Sequence, residues 1–187
     1  MIILFRIFLI LIFLTNISKA NITDDIINNL KTTENIQFKF KQTSGTIIDT
    51  GNCNLQFPGK LRCQYDGNEG KEIIVTNENL YVVKHKFKRK YRYPINSSPF
   101  SIILDKNKIL KNLDKINSTS SNDLFHIFEI RTQDGIFVKI FFDKQNKILK
   151  GWETISFNQE KVNFLIINPK INVATQEKFE VPNYNNF

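Results

Sequence analysis

The stretch 51–65 constrains the fold of this chain more than any other, because it has the pattern of a β-hairpin. Apolar residues alternate with polar ones in both halves, at Cys53, Leu55 and Phe57 and then at Leu61, Cys63 and Tyr65. Pro58-Gly59 between the halves predicts a turn, since proline presets φ and glycine accepts positive φ. The pattern therefore predicts two antiparallel strands with one apolar face and one polar face.

The register of this hairpin decides what its two cysteines can do. If Phe57, Pro58 and Gly59 form a three-residue loop, Cys53 lies directly opposite Cys63 and a disulfide can form. A two-residue loop instead places the cysteines diagonally, on opposite faces. In that second case both are free, buried and behave as small hydrophobic residues. The sequence leaves both registers open.

The N-terminus predicts a cleaved signal peptide, residues 1–20. Arg6 precedes an apolar run, 7–13, and Ser18 to Ala20 offer the small residues of a cleavage site. The alternative is an uncleaved amphipathic or membrane anchor. Export would place residues 21–187, which we expect to form a single domain, in an oxidising compartment. The signal carries two of the cations behind the net charge of +8, so the mature chain has a charge of 8 − 2 = +6.

The rest of the chain predicts a mainly β protein with a few short helices. Ile36, Phe38 and Phe40 alternate with polar residues in a strand that precedes the hairpin. The apolar stretch 100–104 follows Pro99, which favours a short helix that covers the sheet as a lid. From residue 124 onward, short strands separated by short turns predict an antiparallel meander.

A basic segment follows the hairpin, and we predict that it is one extended strand. Its cations fall on a single face, at Lys84, Lys86, Lys88, Lys90 and Arg92. Such a row is able to dock a partner protein, anionic head groups or nucleic acid. Lysines along an exposed strand also guard against edge-to-edge pairing, and we favour that interpretation over partner docking. Nucleic acid is not an expected partner of an exported chain.

The motifs of enzymes are absent from the sequence. His85 and His126 lie far apart on predicted strands, with no Cys, His or carboxylate at metal-ligand spacing. The sequence also lacks a nucleophile elbow, a phosphate-binding glycine loop and a dinucleotide fingerprint. We therefore expect a protein with no catalytic residues, no metal and no cofactor.

Several motifs, in order, resemble the LolA family of periplasmic lipoprotein carriers. The pattern Gly-x-x-x-Leu-x-x-Pro-Gly-x-Leu-Arg-x-x-Tyr-Asp occupies 51–66, and a strand ending in Gln42 precedes it. Further matching stretches are 74–81, 97–104, 149–152 and 179–182. No cysteine stands directly after the predicted cleavage site, which resembles the soluble carrier more than its anchored outer-membrane receptor. The resemblance covers nearly the whole mature chain.

The resemblance implies a half-open antiparallel β-barrel of roughly 9–11 strands, closed by a helical lid around a hydrophobic cavity for acyl chains. The expected cavity wall is Ile36, Phe38, Phe40, Leu55, Phe57, Leu61, Tyr65, Tyr81 and Val83. The expected lid residues are Phe100, Ile103 and Leu104. The alternative is that these side chains fill an ordinary core.

One position departs from the family pattern. The family commonly has an arginine immediately before the Pro-Gly turn, where it holds the lid, and this chain has Phe57 there. An apolar contact thus replaces a polar latch. Arg62 matches a second family arginine, but the alternation places it on the outer face.

The resemblance implies a monomeric periplasmic chaperone. Such a carrier accepts acylated lipoproteins from an inner-membrane ABC-type transporter and delivers them to an outer-membrane receptor. One alternative is an envelope sensor or lipid-binding protein of the same fold. Another is a basic module for anionic polymers, which would bind in a salt-dependent way through Lys84 to Arg92.

Overall fold

A computed structural model of the protein describes residues 22–113, 120–132, 135–156, 159–174 and 176–186. The predicted signal peptide, 1–20, lies outside these ranges, so its cleavage and the single domain from residue 21 stay predictions. The helices are α1 (Ile22–Thr32), α2 (Phe100–Ile103) and α3 (Lys106–Leu113). None of the helices in the described ranges is long and apolar enough to cross a bilayer.

Twelve strands of the described chain form one sheet. The strands of the first half are β1 (Asn35–Ser44), β2 (Ile47–Gln56), β3 (Lys60–Tyr65), β4 (Lys71–Val75), β5 (Asn79–Lys84) and β6 (Arg89–Pro94). Those of the second half of the chain are β7 (Ser120–Ser121), β8 (Phe125–Arg131), β9 (Phe137–Asp143), β10 (Leu149–Ile155), β11 (Lys161–Ile171) and β12 (Asn185–Asn186).

The sheet is an open antiparallel meander in two halves. Its order is β12-β6-β5-β4-β3-β2-β1-β11-β10-β9-β8-β7, so β1 and β11 join the two halves at the centre. Every pair is antiparallel except that of β12 with β6. The two-residue strands β7 and β12 form the edges, and no pairing between them closes a barrel within the described residues. The mainly β, half-open architecture expected from the sequence is confirmed.

The core lies between one face of the sheet and the helices. Alternate residues of the strands, such as Phe38, Phe40 and Leu55, are buried on this face, which we call the inner face. Ile26 of α1 and Ile109 of α3 join the same core. The helices therefore cover the inner face because each has one apolar stripe that has to leave water.

The hairpin of β2 and β3 has the three-residue loop that permits a disulfide. Gln56 pairs with Lys60, and Cys53 lies opposite Cys63. The two cysteines form a disulfide, with 4.1 Å between their Cα atoms. Of the two registers that the sequence left open, the structure has the one that brings the cysteines together.

The basic segment is not one extended strand, and that prediction was wrong. β5 ends at Lys84, a 3-10 turn occupies His85–Phe87, and β6 begins at Arg89. Lys88 has a φ of 49°, in the left-handed region, and it reverses the chain. The alternation of cations continues through this turn, so it resembles a strand in sequence although Lys84 pairs with Arg89 across a hairpin.

The C-terminal segment 176–186 crosses the outer face of the sheet. Arg62 on β3 donates hydrogen bonds from Nη1 to the backbone oxygen of Lys178 at 2.8 Å and to Glu177 at 3.3 Å. Further along, Lys90 on β6 donates from Nζ to the oxygen of Pro182 at 3.2 Å. The segment then ends as β12, parallel to β6. It therefore forms a strap over strands β3 to β6.

Candidate functional site

A cavity of about 1090 Å³ lies between the inner face of the sheet and the segment that precedes α2. Its apolar lining comes from both halves of the sheet and from this segment. The apolar residues that line it include Leu61, Ile73, Leu80, Val82, Phe100, Ile103, Ile136, Trp152, Val162 and Phe164. Ligand pockets usually measure about 300–1,000 Å³, so this volume lies slightly above that range.

Aromatic rings in mutual contact form one wall of the cavity. Trp152 on β10 stacks on Phe164 on β11, with 4.4 Å between the ring centroids. Phe164 stacks in turn on Phe40 at 4.8 Å, and Phe40 meets Tyr65 edge-on at 4.8 Å. Flat rings packed in this way bury much apolar area and leave their contact geometry well defined.

Gly51 makes this arrangement possible. It pairs with Phe40 on one side and with Tyr65 on the other, so its position lies between the two rings. A Cβ atom at this position would lie 2.7 Å from the Phe40 ring and 2.0 Å from the backbone oxygen of Gln64. Only glycine therefore lets the two rings meet across β2.

The cavity has a polar edge around Tyr65. Its hydroxyl donates a hydrogen bond to Oε1 of Gln42 at 2.8 Å, and both residues line the cavity. Lys71 places its ammonium 3.9 Å from the centre of the Tyr65 ring and 3.4 Å from a carboxylate oxygen of Asp49. Burial, together with the nearby charge of Asp49, raises the pKa of Tyr65 well above its usual value. Tyr65 is therefore a neutral hydrogen-bond donor at physiological pH.

The apolar stretch expected to form a lid is a helix, α2, and it is fastened to the β2–β3 hairpin. Ser98 precedes it and accepts a hydrogen bond from the Phe100 N–H at 3.2 Å. At its other end, Gly59 donates its N–H to the oxygen of Leu104 at 2.8 Å. Phe100 faces Trp152 edge-on at 6.2 Å across the cavity.

Phe57 has its own contact at the position of the family arginine. The ammonium of Lys106, at the start of α3, lies 5.6 Å from the centre of the Phe57 ring. Lys106 also donates to the backbone oxygen of Thr33 at 2.7 Å. The positive charge thus belongs to α3, and the aromatic ring belongs to the β2–β3 hairpin. A cation–π contact and the backbone bond of Gly59 join hairpin and helices here.

Four of the residues expected at the cavity line it: Leu61 and Tyr65 on the wall, and Phe100 and Ile103 on the lid. The structure places others in the core that the sheet shares with the helices and not in the cavity lining. These are Ile36, Phe38, Phe40, Leu55, Phe57 and Leu104. Phe40 still supports the wall, because it packs between Phe164 and Tyr65.

Tyr81 and Val83 do not belong to the cavity wall, and their neighbours take that place. Leu80 and Val82 pair with inner-face residues of β4 and line the cavity. Val83 is fully buried on the outer face, where the strap crosses the sheet. Because β5 is apolar on both faces, alternation alone did not indicate which face is the inner one.

Sequence reasoning missed the largest wall residues, Trp152 and Phe164. Both lie within the predicted meander, and the stretch 149–152 resembles the family. Their approach to Phe40 depends on the pairing of β1 with β11, which joins residues more than a hundred positions apart. Period-2 alternation gave the only available signal, and it identifies faces but not partners.

His85 lies in a polar cluster on the outer face. Its Nε2 is 3.0 Å from Oε2 of the buried Glu72, and its Nδ1 is 3.1 Å from the Tyr184 hydroxyl. Glu72 also accepts hydrogen bonds from Arg62 at 2.9 Å and Gln64 at 3.0 Å. Burial alone raises the pKa of the Glu72 carboxyl, but hydrogen bonds from His85 and Gln64 and the Arg62 charge outweigh it and lower the pKa. The cluster fastens the strap to the sheet.

His126 occupies a different environment, on the inner side of β8. It is buried, and burial together with the charges of Lys147 and Lys144 lowers its pKa. The two histidines are thus held in separate structural contacts. Within the described ranges, no three His, Cys, Asp or Glu side chains are grouped in a way that could hold a metal ion.

The fold and the cavity together define a class of protein, an open antiparallel sheet with helices on one face and a mainly apolar binding space with charged side chains at its margin. The family model of outer membrane lipoprotein carrier protein LolA matches residues 29–182. The chain therefore belongs to the LolA family, a family of envelope proteins. A comparison with curated proteins gave no match.

Solved structures with a similar course of the chain are distant in sequence. A conserved protein from Thermus thermophilus has 8% identity and a TM-score of 0.47, over 89% of this chain and 96% of that one. A LolA superfamily protein from Nitrosomonas europaea has 7% identity and a TM-score of 0.46, over 86% and 96%. The MucA/MucB complex of Pseudomonas aeruginosa gives 7% identity and a TM-score of 0.42, over 87% and 62%.

Proposed function

We propose that this chain is a periplasmic carrier of acylated lipoproteins. It would take its cargo from an inner-membrane ABC-type transporter and deliver it to an outer-membrane receptor, with no covalent chemistry. The observation that carries the proposal is the cavity of about 1090 Å³ with an aromatic and aliphatic wall. The membership of the LolA family supports the same function.

An acyl chain fits this cavity for a simple physical reason. Each methylene that leaves water for an apolar environment contributes about 0.8 kcal/mol. The wall offers aliphatic side chains such as Leu61 and Val82 together with the flat faces of Trp152 and Phe164. These groups make no directional demand on a ligand, so chains of different length and saturation can bind.

Loading and unloading follow from the way in which the lid is attached. Phe100 and Ile103 on α2 line the cavity. Gly59 connects the end of this helix to the hairpin, and Lys106 connects the following helix, α3, to α1. Movement of α2 would enlarge the opening without disrupting the sheet. Delivery would be directional only if the receptor binds the acyl chains more tightly than this cavity does.

The test uses inverted inner-membrane vesicles that contain a tagged triacylated lipoprotein, with ATP, in the presence and absence of the mature chain. We expect the tagged lipoprotein to appear in the soluble fraction as a one-to-one complex with this protein. Val82→Glu, which puts a charge in the cavity lining, should abolish release. Tyr81→Glu, next to it on the outer face, is the matched control and should release cargo normally.

The alternative function, an envelope sensor, predicts a different result. A sensor would bind acylated lipoprotein added in detergent but would not extract it from vesicles that respond to another carrier. Absence of release from such competent vesicles would contradict the carrier function. Absence of acyl-chain binding in both assays would contradict both functions.

A further inference from the structure

Three hairpin turns of the first half of the sheet lie at the same end of the molecule. The strands β1 to β6 are consecutive and antiparallel, so the turns after β1, β3 and β5 share one end and those after β2 and β4 share the other. The first group comprises 45–46, 66–70 and 85–88. We call this end of the sheet the turn end.

The turn end carries exposed apolar side chains. Ile47 and Ile48 follow the first turn, with 64% and 58% of their surface exposed. Phe87, in the third turn, is 49% exposed. The strands β2 and β5 are three neighbours apart, at about 4.8 Å each, so the two groups lie about 14 Å apart along the sheet. Apolar side chains at the tips of two hairpins are placed to enter an apolar surface together.

The same end carries a surplus of positive charge. Lys86 and Lys88 are exposed, and in the described part of the chain no acidic side chain forms an ion pair with either. Lys84 and Lys71 are adjacent and pair with Glu69 and Asp49, at 3.0 Å and 3.4 Å. The ammonium groups of Lys84 and Lys86 lie 5.9 Å and 5.8 Å from the centre of the Phe87 ring. Cations therefore flank the apolar tip.

We propose that the turn end docks on the surface of an anionic phospholipid bilayer. Ile47, Ile48 and Phe87 enter the boundary between head groups and acyl chains, while Lys86 and Lys88 contact head-group phosphates. Apolar tips combined with basic side chains are the composition of interfacial membrane-binding segments. Neither group alone would give stable attachment, but together they bind reversibly.

Docking in this orientation brings the cavity to the bilayer. Gln42 and Tyr65 line the cavity, and both lie within a few residues of the turn end. An acyl chain that leaves the cavity at this side would enter the lipid directly. In this respect the inference rests on the proposed carrier function, although bilayer binding itself is measurable without any cargo.

The experiment is co-sedimentation of the mature chain with vesicles of phosphatidylglycerol and phosphatidylcholine, compared with vesicles of phosphatidylcholine alone. We expect binding to the anionic vesicles only, weakened by added salt. Ile47→Ser with Ile48→Ser should reduce binding about tenfold or more. Lys86→Glu with Lys88→Glu should reduce it at least as much.

The matched control is Leu124→Ser. Leu124 is 65% exposed, as much as Ile47. It lies just before the start of β8, at the end of that strand opposite to Arg131. Its replacement should leave vesicle binding unchanged. Circular dichroism and unfolding curves of all variants establish that they are folded before binding is compared.

Several outcomes would overturn the docking proposal. It is wrong if the chain does not bind anionic vesicles, or if the double variants bind them as well as the Leu124→Ser control does. If the double variants lose cargo release from native membranes but bind vesicles unchanged, the turn end contacts a protein and not the bilayer. A chain that still binds acylated cargo but no vesicles keeps the carrier function and loses the docking proposal. A chain that binds vesicles through the turn end but binds no cargo keeps the docking proposal and loses the carrier function.

Discussion

Gly51 shows how a single missing side chain shapes the cavity wall. The rings of Phe40 and Tyr65 contact each other directly over its Cα, across an intervening strand. The same contact allows Phe40 to support Phe164, and Phe164 to support Trp152. The position of the wall thus depends on a residue that contributes nothing to the lining.

We predict that Gly51→Ala destabilises the protein by about 1–3 kcal/mol, because its methyl group has to displace the Phe40 ring or the β3 backbone. Denaturant unfolding followed by circular dichroism measures the loss. Asn52→Ala, on the outer side of the same strand, is the control and should change little. Equal stability of the two variants would mean that the sheet absorbs the methyl group without strain.

Glu72 gives the outer face a pH dependence. An unfolded glutamate titrates near 4.5, and the hydrogen bonds and charge around Glu72 lower its pKa in the folded state. The unfolded chain therefore binds this proton first as the pH falls. The stabilisation is complete above about pH 4.5 and is lost as the pH falls through the folded-state pKa.

We predict that Glu72→Gln lowers the free energy of unfolding at pH 7 by about 1.5–3 kcal/mol, the range for hydrogen bonds to a charged group. The difference from the native chain should shrink as the pH falls below 4.5, since the native chain loses this contribution and the variant has none. Urea titrations between pH 7 and pH 3 measure both. A constant difference across this range would contradict the assigned role of the carboxylate.

At the scale of elements, the β2–β3 hairpin joins the sheet to the lid. Its strands carry the disulfide of Cys53 and Cys63, and its loop binds α2 through Gly59 and α3 through Phe57. The disulfide holds the register of the two strands, and the register holds the loop in place. The cross-link therefore stabilises the lid attachment as well as the hairpin.

We predict that Cys53→Ala with Cys63→Ala lowers the free energy of unfolding by about 2–3 kcal/mol, the amount for a short closed loop. Thermal or denaturant unfolding under non-reducing conditions measures the loss. Reductant should shift the native chain toward the variant and leave the variant unaffected. A native chain that is insensitive to reductant and matches the variant would show that the thiols are not cross-linked.

Local patterns predicted local elements well. The β2–β3 hairpin followed from alternation and Pro58-Gly59, and helix α2 followed from Pro99 and the apolar run after it. The hairpin at 85–88 escaped prediction because Lys88 adopts the left-handed conformation, which glycine usually occupies. The cavity wall escaped in part because the packing of Trp152 and Phe164 depends on the long-range pairing of β1 with β11.

The whole molecule combines one open sheet, helix α2 over the cavity and a strap on the opposite face. Helix α2, the segment before it and the inner face enclose the cavity, while the strap shields the outer face of β3 to β6 through Arg62 and Lys90. The cavity and the strap thus lie on opposite faces of the sheet. In the proposed carrier, α2 would move without a change in the sheet.

The central claim is that the cavity shelters acyl chains, and its most direct test uses the single tryptophan of the chain. Trp152 lines the cavity and stacks on Phe164. A triacylated lipopeptide with brominated acyl chains should quench the Trp152 fluorescence in a saturable way, and its unbrominated counterpart should not. Val82→Glu should abolish this quenching, and Tyr81→Glu should retain it. Fluorescence that stays unchanged while the lipopeptide is bound would place the acyl chains outside this cavity and contradict the account.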